Sequence, residues 1–153
     1  HIVTNNENYI LAAKKAKDFM LKPVGKGGTA RYEGEETYLY EYTNEPLVLN
    51  GWIFSLWGLY DFYKYLGDDN VRKVLISTLQ SMKKKLPEYD LQYWSKYDDG
   101  KRIASPFYHK LHIAQLTVMY DLFGDDIFRI YADKWKGYQN SFVKTYIWEN
   151  YMS

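Results

Sequence analysis

Cysteine is absent from the 153 residues, which excludes disulfide staples, thiolate-ligated zinc and cysteine nucleophiles together and leaves the redox compartment open. Long apolar runs are also missing and the mean hydropathy is -0.52, so no membrane span is expected. Neither sign of charge dominates: 20 basic residues stand against 19 acidic ones, for a net charge of +1. A general nucleic-acid binder and an acidic tail are both disfavoured by that balance, and any anionic partner has to be met locally. No charged head and apolar run opens the chain. Gly25-x-Gly27-Gly28 lacks the Lys-Ser/Thr and the following helix of a phosphate loop, and no G-x-S-x-G elbow occurs. With His1 at the terminus, His109 and His112 are the only internal histidines. At this length one hydrophobic core is expected, so residues 1–153 read as a single domain that is also of a size to be a piece of a larger protein.

Aromatics are what the chain has in excess. Tyr contributes 17, Phe 7 and Trp 5, so tyrosine alone outnumbers the other two together. A tyrosine joins an apolar ring to a hydroxyl that seeks a partner, which suits the lining of a sugar groove as well as a core with satisfied hydroxyls. Most of the rings are expected to pack and a minority to line a groove.

Helical spacing dominates the chain. Thr4 and Glu7 are spaced as a capping box ahead of Tyr9, Ala12, Ala13, Ala16, Phe19 and Met20, which predicts a first helix. Pro23 and the following glycines end it, and Arg31 to Tyr42 reads as a short extended segment with Tyr38, Tyr40 and Tyr42 on one side. Past Asn44 and Pro46, a helix with Leu49, Trp52, Ile53, Leu56, Tyr60 and Tyr63 runs to Gly67, and a second, capped by Asp68 or Asp69, runs to Leu86-Pro87. After a long loop the pattern returns: a helix with Tyr108, Leu111, Gln115, Val118, Met119 and Leu122 reaches Gly124-Asp125-Asp126, and another carries Phe128, Tyr131, Trp135 and Tyr138. Tyr60-Asp61 before Gly67-Asp68-Asp69 is thus echoed by Tyr120-Asp121 before Gly124-Asp125-Asp126. The fold predicted is mainly α, with helical hairpin repeats forming part of an α/α toroid, too few to close a ring.

The pair His109-x-x-His112 shares a helix face, yet no acidic residue lies within four positions and no third histidine is at hand. Metal binding is therefore not expected, and a place in a polar cleft is. The block from Leu49 to Asp61, Tyr108-His109-Lys110-Leu111-His112-Ile113-Ala114-Gln115-Leu116 and Trp135-Lys136-Gly137-Tyr138 resemble, in order and character, the C-terminal helical domain of D-glucuronyl C5-epimerases. Glu41-Tyr42 and the Tyr97-Asp98 loop fall where that family carries site residues. The resemblance implies epimerisation of glucuronate to iduronate in a heparan-like chain without a cofactor, with Tyr42, Tyr97 and Tyr108 as acid and base groups. Substrate contacts are expected from Glu41, Asn50, Lys101, Arg102, His109 and His112, the last two through the cleft and Lys101 or Arg102 in place of an arginine that the family carries nearer Tyr-Asp. It also implies a Golgi lumen for an animal-type enzyme and a bacterial setting otherwise, and a homodimer or a preceding domain that completes the site.

Inverting C5 of a uronate removes a proton α to a carboxylate and returns one to the opposite face. Two proton-transfer groups flanking the ring and a cation on the carboxylate meet that need. A free phenol, with a pKa near ~10, needs neighbouring cations to become a base, and Lys101, Arg102, Lys110 and His109 are close in sequence. Two other readings stand beside this one: a polysaccharide lyase, which shares the first proton abstraction, and a non-catalytic helical carbohydrate-binding module.

Overall fold

The computed structural model describes residues 6–139 and 141–151. In chain order these form α1 (Glu7–Leu21), β1 (Ala30–Glu33), β2 (Glu36–Leu39), α2 (Leu49–Leu66), α3 (Asp69–Lys85), α4 (Pro106–Phe123), α5 (Asp126–Gly137) and α6 (Ser141–Tyr151), with short 3-10 turns at Val24–Lys26 and Leu86–Tyr89. The architecture is mainly α, as the periodicity predicts. No described helix is long and apolar enough to cross a membrane.

Both anticipated hairpins form, and the residues that end their first helices explain why. Gly67 after α2 and Gly124 after α4 take left-handed backbone angles, φ 66° and 72°, and each donates its N–H back to the helix it closes, at 2.8 Å. Glycine enters that region without a Cβ penalty, so the chain reverses there. The aspartate that follows acts differently in the two turns. Asp68 caps α3 by accepting from the N–H groups of Asn70 (2.9 Å) and Val71 (3.1 Å), whereas Asp125 receives Lys83 Nζ at 2.8 Å and ties the second turn to α3.

The core lies where the two hairpins meet. Trp52, Ile53, Leu56 and Leu59 of α2 are buried with Val71 and Met82 of α3, Leu116 and Met119 of α4, and Phe128 and Trp135 of α5. Polar atoms of three of the large rings find partners: Trp52 Nε1 donates to Thr78 Oγ1 (2.8 Å), Tyr89 Oη to the Leu47 carbonyl (2.9 Å) and Trp94 Nε1 to the Ala104 carbonyl (2.7 Å), whereas the buried Trp135 Nε1 has none among the described residues. Such bonds let indole and phenol groups enter an apolar interior at small cost.

Three expectations are corrected. The extended segment is a two-stranded antiparallel hairpin that turns at Gly34 (φ 61°) and ends at Leu39, so Tyr40 and Tyr42 lie beyond it. Its inward residue Thr37 bonds Ser81 and Ser77 of α3. The first helix is capped by Asn6, whose Oδ1 accepts from Asn8 N at 3.0 Å, while Thr4 lies outside the described residues. Its expected apolar face is only partly covered: Met20 packs against the core, but no residue of α1 is buried, Phe19 is 57% exposed, and α1 borders an apolar groove of about 380 Å³ against α2. α6, not read from the sequence, packs through the buried Ile147.

Candidate functional site

The chain between Leu39 and α2 is pinned to the long loop before α4, and that pinning builds the site. Leu49 N donates to the Tyr97 carbonyl (3.1 Å), Asp99 N to the Leu47 carbonyl (3.0 Å) and Leu47 N to Asp99 Oδ1 (2.7 Å). Tyr97 N in turn donates to the Arg102 carbonyl at 2.8 Å, which folds the loop back on itself. Tyr97 is thereby fixed beside the first turn of α2. Tyr108 approaches from the first turn of α4, where Ser105 Oγ accepts its N–H (3.3 Å) and Pro106 occupies the first helical position. The rings of Tyr97 and Tyr108 meet edge to face with centroids 4.8 Å apart.

Glu41 and Tyr42 complete the cluster. The Tyr42 phenol is raised above its ordinary value by hydrogen bonding with the Glu41 carboxylate, by the charge of that carboxylate, and more weakly by Glu45 and Tyr108. The Tyr97 phenol is pushed up to about 12, first by desolvation and then by the charge of Glu41 and the neighbouring Tyr108 and Tyr42. Four of the residues expected from the sequence, Glu41, Tyr42, Tyr97 and Tyr108, therefore share one site. The direction of the shifts reverses an expectation. Cations do not lower these two phenols: the Glu41 carboxylate raises Tyr42, and desolvation ahead of the charge of Glu41 raises Tyr97.

Arg102 shows why. Its Nε binds the carboxylate of Asp98, which is fully buried, its Nη2 lies 2.9 Å from Glu45 Oε2, and the guanidinium sits 5.1 Å from the centre of the Tyr97 ring. Two carboxylates hold it as a brace of the Tyr97 loop, while Lys101 beside it is exposed. Arg102→Ala is expected to destabilise the protein by about 2 kcal/mol, since a charge-assisted hydrogen bond to a buried carboxylate is lost. Thermal melting checks this, and an unchanged midpoint would show that Asp98 finds another partner.

The remaining expected residues lie deeper. His109 and His112 are fully buried, not in the cleft anticipated for them. His109 stacks on Trp94 with centroids 3.7 Å apart; its Nε2 lies 3.0 Å from the Trp135 carbonyl, and its Nδ1 accepts from Ser95 N at 3.2 Å. Ser95 Oγ sits between the two rings, 2.8 Å from His109 Nδ1 and 3.2 Å from His112 Nδ1. Burial holds both imidazoles well below their usual value, His109 at about 4 and His112 at about 3, so both are neutral at pH 7. They join α4 to the loop and to α5. Asn50, on the first turn of α2, accepts from Gln115 Nε2 through its carbonyl (3.1 Å), and its buried Oδ1 finds no partner among the described residues. No group of three or more His, Asp or Glu suited to a metal occurs among the described residues.

Two features of the site escaped the sequence. Phe107, 68% exposed, packs edge-on against Tyr108 with centroids 5.3 Å apart, and the sequence carries only its place beside Tyr108. Glu45, opposite Arg102, is separated from it in sequence by the whole of α2 and α3 and a loop.

Fold and site together define a helical-hairpin protein with a cluster of phenols and one carboxylate at the loop-bearing end of its helices. The chain belongs to the D-glucuronyl C5-epimerase C-terminus family, whose model matches residues 1–137. The resemblance carried by the Leu49–Asp61, Tyr108–Leu116 and Trp135–Tyr138 blocks is thereby borne out. An uncharacterized protein of Methanocaldococcus jannaschii is 33% identical over 139 residues, covering 87% of this chain and 45% of that protein. The D-glucuronyl C5-epimerase of Caenorhabditis elegans is 29% identical over 156 residues, covering 88% of this chain and 25% of that protein. The chain thus spans less than half the length of these curated relatives.

Proposed function

We propose that this chain is the helical part of an isomerase that inverts C5 of D-glucuronate residues in an anionic, heparan-like polysaccharide. The observation that carries this reading is the convergence of Glu41, Tyr42, Tyr97 and Tyr108 from three separate segments onto one site. Abstraction of the C5 proton leaves an enolate-like carboxylate, and delivery of a proton to the other face completes inversion, with no bond to a leaving group broken. Tyr42 and Tyr97, whose phenols are raised, hold their protons at neutral pH and suit the donating role. The accepting role falls to the Glu41 carboxylate or to Tyr108. Lys101, exposed at the rim, and the outer edge of Arg102 meet carboxylates of the polymer, and the exposed ring of Phe107 offers an apolar face to a neighbouring sugar. His109, His112 and Asn50 act from behind, by fixing α4 and the first turn of α2.

The two hairpins form an arc of an α/α toroid rather than a ring, so a second copy or a preceding domain closes the groove over the polymer. The test is the uronate composition of a glucuronate polymer after incubation with the full-length protein. Iduronate without an ultraviolet-absorbing unsaturated sugar is the result expected. An unsaturated product would establish the lyase instead, and binding with unchanged composition would leave a carbohydrate-binding module.

A further inference from the structure

Gly51 is the third residue of α2, a place where glycine has no local justification. Its φ is not positive, and inside a helix glycine is less favourable than alanine because more backbone freedom is lost. The reason lies across the gap. A Cβ on Gly51 would stand 3.0 Å from Glu41 Cβ and 3.2 Å from Glu41 Cδ, with Glu41 Oε2 closer still. The Oε2 contact is closer than a real Cβ tolerates and the other two are tight, so a side chain here would make Glu41 shift. The first turn of α2 also lacks an acidic residue of its own, and Val48 at the cap position offers no side-chain acceptor. A carboxylate lying over that turn meets the positive end of the helix dipole. The same turn holds Tyr97, whose carbonyl accepts from Leu49 N at 3.1 Å.

We infer that Gly51 is a positioning residue: its missing side chain lets the Glu41 carboxylate rest on the first turn of α2, beside Tyr42 and the segment that fixes Tyr97. This rests on the epimerase reading only for what the carboxylate does once it is there. The contact itself is independent of any reaction.

A double-mutant cycle on the full-length protein tests it. If Gly51 were an ordinary helix residue, Gly51→Ala would raise the melting temperature. The contact predicts a coupling between the two sites: Gly51→Ala raises the melting temperature in a Glu41→Gly background, where the obstructing side chain is gone, and lowers it in the wild-type background, where Glu41 has to shift. Equal shifts in both backgrounds would overturn the inference. Should Gly51→Ala alone fail to fold, recovery of folding by Glu41→Gly supports the contact, and failure of the double variant to fold counts against it. Turnover supplies the second readout. Gly51→Ala is expected to lower kcat on a glucuronate polymer by about tenfold or more, with KM changed less, because the carboxylate is moved and the groove is not. An unchanged kcat in a folded Gly51→Ala variant, with the wild type active, would overturn the positioning role. Absence of turnover in the wild type would instead count against the epimerase reading, and the melting cycle would still decide whether Gly51 makes room for Glu41.

Discussion

Tyr108→Phe and Tyr42→Phe are each expected to lower turnover on a glucuronate polymer by about 10²–10⁴-fold, the contribution of a positioned proton-transfer group, while melting and oligosaccharide binding stay near wild type. The small structural cost follows from how the two rings are held. Tyr108 is placed by its backbone bond to Ser105 Oγ and by ring contacts with Tyr97 and Phe107, all of which phenylalanine keeps. Tyr42 is 48% exposed and its ring carries little of the packing. Tyr97→Phe is expected to be impaired to a lesser degree, because desolvation raises its phenol to about 12 and makes it a weak proton donor. Uronate composition measured against time for the three variants checks the order. Wild-type rates in both Tyr108→Phe and Tyr42→Phe would remove the phenols from the chemistry.

Acid is expected to destabilise the fold through the two buried histidines, and this is the second large effect. In the folded state His109 and His112 titrate at about 4 and about 3, below the unfolded value of ~6.5. The unfolded chain therefore binds more protons as pH falls, and stability that is complete above pH ~6.5 is lost progressively toward pH ~4. Each imidazole can contribute up to about 1.4 kcal/mol per pH unit in that window. Urea unfolding at a series of pH values checks the slope. His112→Gln, which removes one titrating group, is expected to flatten the curve between pH ~6.5 and ~4. A midpoint independent of pH across that window in the wild type would show that the imidazoles are not held neutral by the fold.

The helical hairpins were legible because their punctuation is chemical. A glycine that must enter the left-handed region, followed by an aspartate fit to cap, marks the same turn at Gly67 and at Gly124. The tyrosines of the site were reachable through motif order, since Glu41-Tyr42, Tyr97-Asp98 and Tyr108-His109 keep their neighbours. Which way a residue points was not legible. His109-x-x-His112 spacing guarantees a common helix face, but only the packing of α4 on α5 and the loop through Ser95 shows that the face is internal. Charge was misread for a related reason. Arg102 follows Tyr97 closely in sequence, yet Asp98 and Glu45 engage it, and the acid that acts on Tyr97 comes from Glu41, far upstream. Gly51 stood within the motif and carried no visible role, because the side chain it accommodates belongs to another segment.

The central claim is that this site moves the C5 proton of a uronate without breaking the sugar chain. Its most direct test follows deuterium at C5 when a glucuronate polymer is incubated in D2O with the full-length protein. The account predicts deuterium at C5 in both glucuronate and iduronate residues, no C4–C5 double bond, and loss of the label in Tyr108→Phe. A folded, polymer-binding protein that leaves C5 unlabelled would contradict it.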